Sequence, residues 1–125
     1  MNGRNLTLRR DIAPDSERIW RFVATLSVPQ GAATTPVLDL GPGLATFVRE
    51  VAAGWGGFDG LKEYASLEGH LFLSCRHDGK GTVNCSATLR QPDPPEWSFE
   101  AVMQFGAGAH LERIADEVEL FVPFP

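Results

Sequence analysis

Leu67-Glu68-Gly69-His70-Leu71-Phe72-Leu73-Ser74-Cys75-Arg76 reads with period two. Leu67, Gly69, Leu71, Leu73 and Cys75 share one face; Glu68, His70, Phe72, Ser74 and Arg76 share the other. The pattern repeats twice. Val83, Cys85, Ala87 and Leu89 alternate with Asn84, Ser86, Thr88 and Arg90, and Trp97, Phe99, Ala101, Met103 and Phe105 alternate with Ser98, Glu100, Val102 and Gln104. Three successive alternating segments predict an antiparallel meander with one packed face and one wet face. Leu71, Leu73, Val83, Cys85, Leu89, Phe99 and Met103 are then core residues, because a slip of one residue would expose the whole apolar set. His77-Asp78-Gly79-Lys80-Gly81 forms the first turn, with Asp-Gly at its centre. A three-residue turn would set Arg76 opposite Lys80 and Glu68 opposite Thr88. A wider loop sets Arg76 opposite Thr82 and Glu68 opposite Arg90. The wider loop is expected, since facing opposite charges contribute roughly 0.2–1 kcal/mol.

Working outward, a helix precedes the meander. Pro42 suits its first position, where a missing N–H costs nothing. Leu44, Phe47, Val48, Val51 and Trp55 lie on one stripe, and Gly56-Gly57 ends it. The linker Phe58 to Tyr64 is mixed and folds back over the core edge. A second helix follows the meander, with Leu111, Ile114, Ala115, Val118 and Phe121 on one stripe and Glu112, Asp116 and Glu119 opposite. The tail Val122-Pro123-Phe124-Pro125 cannot continue it. Near the N-terminus, Leu6 to Ile12 and Arg18 to Val28 read as strands joined by a turn at Pro14-Asp15-Ser16, and a short strand at Val37–Leu40 is open. Ser27 to Pro36 and Gln91 to Glu96 read as loops. The expected fold is α+β: one antiparallel sheet of about five strands with two helices on one face, in the order β-β-(β)-α-β-β-β-α.

The chain has 125 residues, 43% hydrophobic and 22% charged, which suits one globular domain over residues 1–125. No apolar run approaches the ~20 residues of a membrane span. Met1-Asn2-Gly3-Arg4-Asn5 lacks the apolar core of a secretory signal, so a cytoplasmic setting is expected. A net charge of −5 argues against a general nucleic-acid binder. Charge is uneven: Arg4, Arg9, Arg10, Arg18 and Arg21 crowd the first strands, while Asp93 to Glu119 is acidic apart from Arg113. Two cysteines are too few for a disulfide scaffold, and Cys75 and Cys85 are expected as reduced, buried thiols.

No catalytic or metal motif stands out. His70, His77 and His110 lie apart, with His70 on a polar strand face and His77 in a turn, and zinc or calcium needs three or four converging ligands. Core-facing cysteines cannot serve as nucleophiles, no G-x-S-x-G elbow occurs, and Gly54-Trp55-Gly56-Gly57 lacks the setting of a phosphate loop. Glu63, Glu68 and Glu100 read as solvated carboxylates, with Arg76 and Arg90 available across the sheet to Glu68 and Glu100. Neither an enzyme nor a cofactor is expected. Two surfaces remain for a partner: the acidic helix face of Glu112, Asp116 and Glu119, and the wet sheet face around His70, Asn84, Thr88 and Glu100.

Trp55-Gly56-Gly57-Phe58-Asp59-Gly60, Ser66-Leu67-Glu68-Gly69-His70-Leu71 and His77-Asp78-Gly79-Lys80-Gly81-Thr82-Val83 resemble an uncharacterised bacterial family, domain of unknown function 6228. The resemblance runs from about Gly41 through Trp97 to the helix around Leu111. Tyr64 stands where that family usually has tryptophan, and Thr82 where it has histidine. Element order is also similar, more loosely, to WapI-type immunity proteins encoded beside secreted toxins. That resemblance implies a non-enzymatic protein that neutralises a toxin by stoichiometric binding, the partner being a basic toxin domain. The alternatives are a small-ligand or regulatory module with a pocket between helix and sheet, and an enzyme whose site carries no motif.

Overall fold

A computed structural model describes residues 5–12 and 18–123. Its elements are β1 (Asn5–Ile12), β2 (Ile19–Val28), β3 (Gly31–Leu40), α1 (Gly43–Ala53), β4 (Lys62–Ala65), β5 (Leu71–His77), β6 (Thr82–Gln91), β7 (Trp97–Gly106) and α2 (Ala109–Phe121). The expected turn at Pro14-Asp15-Ser16, Arg4 and the terminal Phe124-Pro125 lie outside the described residues.

The class is α+β, but the strands form two antiparallel sheets rather than one of about five strands. Their orders are β1-β2-β3 and β4-β5-β6-β7. Two segments read as connections are strands. Gly31–Pro36 belongs to a full-length β3 that pairs with β2 from Val28↔Gly31 to Ile19↔Leu40. Pro36 is tolerated because β3 is an edge strand, where a missing N–H breaks no second ladder. Within the Phe58–Tyr64 linker, Lys62 begins β4, which pairs with β5 through Tyr64↔Leu73. The sheets meet where the Leu67 N–H donates to the Leu38 carbonyl at 3.0 Å.

The meander of β5, β6 and β7 has the expected faces. Leu71, Leu89 and Phe99 lie in one row, and Cys75, Cys85 and Met103 in another. All the named core residues are buried except Phe99, which is half-buried. The inner face of β2, carrying Trp20, Phe22, Ala24 and Leu26, joins the same core. Phe121 of α2 packs edge-on against Trp20 and Phe22, and Phe47 of α1 packs on Tyr64. The two helices therefore cover both inner sheet faces and lie against each other.

The hairpin register differs from both expected forms. Arg76 faces Asn84, Phe72 faces Thr88, and Glu68 lies before β5 altogether. Local turn chemistry wins over surface charge pairing. Asp78 Oδ1 accepts the N–H groups of Lys80 and Thr82, at 2.6 and 3.1 Å, and the Asp78 N–H closes onto the Thr82 carbonyl. β5 starts late because Glu68 (φ 65°) and Gly69 (φ 75°) turn left-handed, and Ser66 Oγ caps the Leu71 N–H at 2.9 Å. α1 also ends early. Gly54 is its C-cap, so Trp55 leaves the apolar stripe and is 61% exposed.

Cys75 and Cys85 are directly opposed on β5 and β6, with Cα atoms 4.1 Å apart, and are joined by a disulfide. This corrects the expectation of reduced thiols. Core-facing positions are compatible with either state; the register puts the two side chains side by side, which alternation alone does not reveal. No helix among the described residues is long and apolar enough to cross a membrane.

Candidate functional site

The acidic stripe of α2 is already engaged. Arg49, near the middle of α1, reaches across the helix pair and binds Glu112, Asp116 and Glu119 together. Its Nη2 lies 2.7 Å from both Asp116 and Glu119, and Nε donates to Glu119 at 2.9 Å. The guanidinium holds the Glu119 carboxyl below its ordinary range, and the carboxylates raise the guanidinium in turn. The three residues do share a face, as expected, but that face carries an internal helix–helix clamp. Spacing along α2 identifies the stripe; only the packing of α1 identifies its partner.

The outer face of the β4–β7 sheet brings other expected residues together. Thr88 lies between Phe72 and Glu100, and Ser86 lies between Ser74 and Val102. Asn84 follows on the same face between Arg76 and Gln104. Ser86 and Thr88 hydroxyls donate to one Glu100 oxygen, at 2.8 and 3.3 Å. No Lys or Arg among the described residues forms an ion pair with Glu100, so neither Arg76 nor Arg90 neutralises it. Arg90 instead donates to the Gly69 carbonyl at 2.8 Å. His70 sits at the rim, its carbonyl taking the Arg90 N–H and its Nδ1 buried without a partner. Phe72 and Val102 stand out of this polar field, 36% and 46% exposed. Both were visible in the sequence as apolar residues on the polar side of an alternating strand.

The remaining titratable groups have structural partners. His77 faces the core rather than a turn. Its Nδ1 accepts the Gly79 N–H at 2.8 Å, so Nε2 carries the proton and donates to the Trp55 carbonyl at 3.0 Å. Phe58 packs edge-on against the ring. The glycine-rich segment and the His-Asp-Gly turn thus meet around one imidazole. Backbone N–H groups of Lys80 and Thr82 hold the Asp78 carboxyl below its usual range. Buried Asp39 accepts the Tyr64 hydroxyl and the Leu44 N–H at the start of α1. Burial raises both its carboxyl and the Tyr64 phenol. His110 Nδ1 takes the Gly106 N–H. No group of three His, Cys, Asp or Glu residues among the described ones is placed to hold a metal ion.

Between the helices and the sheets lies an apolar cavity of about 440 Å³. Phe47 and Val51 of α1, Leu73 and Met103 of the meander, and Leu111 and Val118 of α2 line it. The disulfide forms part of its floor. Sequence reading placed most of these side chains in the core, but not the space left between them.

A family model described as "Family of unknown function (DUF6228)" matches residues 2–124. No curated protein and no solved structure matches the chain.

Proposed function

We propose, for a chain that belongs to the DUF6228 family of unknown function, that it acts without turnover by binding a protein partner on the outer face of the β4–β7 sheet. One observation carries the reading. One Glu100 carboxyl oxygen accepts two hydroxyls and pairs with no cation among the described residues, flanked by the exposed side chains of Phe72 and Val102. An apolar contact beside a charged acceptor is what an arginine or lysine on a basic partner would meet. A basic bacterial toxin domain, with this chain as its immunity protein, is the specific form of the proposal. On the acidic helix face a basic partner would have to compete with Arg49, which already pairs with all three carboxylates. In a reducing cell the Cys75–Cys85 bond must be either protected or dispensable for binding.

The test begins with the flanking genes. A toxin C-terminal domain encoded there is purified and titrated with this chain. The expected result is one-to-one binding, slowed at least ~10-fold by Glu100→Lys, weakened by Phe72→Ala, and unaffected by Glu50→Gln on α1. Flanking toxin domains that fail to bind, or binding indifferent to Glu100 and Phe72, would remove this surface from consideration.

The cavity favours a second reading, a small-ligand module, and its chemistry is specific enough to develop separately.

A further inference from the structure

The inner side of the same sheet carries a different opportunity. The cavity measures about 440 Å³, within the range of small-molecule sites and well above a packing defect. Its walls are hydrocarbon and sulfur, with Phe47, Val51, Leu73, Met103, Leu111 and Val118 among the lining side chains. Water gains little there, because a held water needs two to four polar partners. The cavity is half open to solvent, so its apolar walls stay wetted until an apolar occupant covers them.

The mouth limits what the occupant carries at its other end. Asn5 and Thr7 of β1 and Glu117 of α2 are the exposed polar residues on the lining. Four successive residues of edge strand β1, Asn5 to Leu8, line the mouth, so its open backbone edge lies there beside the Glu117 carboxylate, with no lysine, arginine or histidine among the described lining residues. A carboxylate or phosphate headgroup would meet Glu117 with no compensating charge from those residues, and an ammonium gains little from one exposed carboxylate, whereas a hydroxyl or amide could exchange hydrogen bonds with the open backbone edge of β1.

We propose that this cavity binds a neutral amphiphile: an unbranched or monocyclic apolar body of about ten carbons ending in a hydroxyl or amide. The site is independent of the outer face, so loss of partner binding and loss of ligand binding are separable.

The intact, oxidised protein is titrated calorimetrically with 1-octanol, octanoate and octylamine, and methyl NMR follows where each acts. Octanol is expected to bind one-to-one and at least as tightly as octylamine, with octanoate at least ~10-fold weaker and Glu117→Gln narrowing that gap; octylamine binding more tightly than octanol would overturn the neutral headgroup. Octanol should shift the methyls of Leu73, Met103 and Val118 and leave Val102 on the outer face unmoved. Val118→Phe, which fills the space, should abolish binding in a protein that still melts cooperatively. If that variant does not fold, the methyl map decides in its place. Absence of saturable octanol binding, octanoate binding as tightly as octanol, or shifts centred on Val102 would each overturn the proposal.

Discussion

Asp39 is where the fold is most exposed to a single change. It is 3% exposed and connects three elements: it sits on β3, receives the Tyr64 hydroxyl from β4 at 2.7 Å, and receives the Leu44 N–H of α1 at 3.0 Å. The helix needs that acceptor, because Pro42 at its N-cap has no side chain to offer. Asp39→Ala leaves a buried hydroxyl and a buried N–H unpaired, at about 1–3 kcal/mol each. A loss near 4 kcal/mol follows, a large part of the 5–15 kcal/mol typical of a domain, with a fall in Tm of roughly 12–20 °C. Urea unfolding of Asp39→Ala, Tyr64→Phe and the double variant measures it, and the two losses should overlap by about 1–2 kcal/mol. Asp39→Asn keeps an acceptor for Tyr64 but turns an amide toward the Leu44 N–H, so it should also lose stability. The pH dependence has a definite sign. Burial raises the Asp39 carboxyl above 3.8 despite its hydrogen bonds. A raised folded value means stability present at acid pH and lost as pH rises through it. The wild type should therefore gain on Asp39→Asn as pH falls from 7 to about 4, by no more than about 1.4 kcal/mol per pH unit. An Asp39→Ala loss under 1 kcal/mol, or a wild-type advantage that shrinks on acidification, would refute this account of the buried cap.

Other consequences can be checked directly. Denatured protein without reductant should show no free thiol, and reduction should lower stability by about 3 kcal/mol, since the bridge closes a loop of sequence separation 10. Reversing Glu112, Asp116 and Glu119 to lysine should lower Tm, because Arg49 would then face three cations, and the drop should shrink in 0.5 M salt. His77→Ala should speed hydrogen exchange at the Gly79 amide, which loses its acceptor, while leaving amides of β2 unchanged.

The meander was legible because strands of ten residues with strict alternation admit one inward face. The split into two sheets, and the strands β3 and β4, were not, for particular reasons. β1 and β2 read as strands, but with Ile19 and Val23 opposite Trp20 and Phe22 their pattern does not show that they belong to a sheet of their own. β3 begins with small residues and contains Pro36, and both features resemble a loop until its place at a sheet edge is known. β4 is four residues long, too short to show a period. The register failed on a matter of magnitude. A surface charge pair contributes tenths of a kcal/mol, and the side-chain bonds of Asp78 and His77 to their own turn outweigh it. At the candidate surfaces, sequence grouped the right side chains by face but gave no sign of what lies across from them. Arg49 facing the acidic stripe and Cys85 facing Cys75 are facts of packing and register.

The residues that mark the family resemblance turn out to hold the scaffold together. Ser66, Glu68 and Gly69 build the turn that launches β5, and Gly69 also takes the Arg90 guanidinium on its carbonyl. A Cβ at Gly69 would come within 2.8 Å of the tip of that flexible side chain, which can shift, so it is the φ of 75° that favours glycine there. His77 and Gly57 meet at a second turn cluster, where the imidazole joins the Trp55 carbonyl to the Gly79 amide. Tyr64 serves the Asp39 cap, a position where a tryptophan N–H could donate in the same way. By contrast, Phe72, Glu100 and Val102 on the outer face, and Glu117, Asn5 and Thr7 at the cavity mouth, lie outside those signature segments. A signature made of turns and caps bears on where the strands go. Chains sharing it should therefore share this two-sheet frame, and the functional question turns on the outer face and the cavity rather than on the motif.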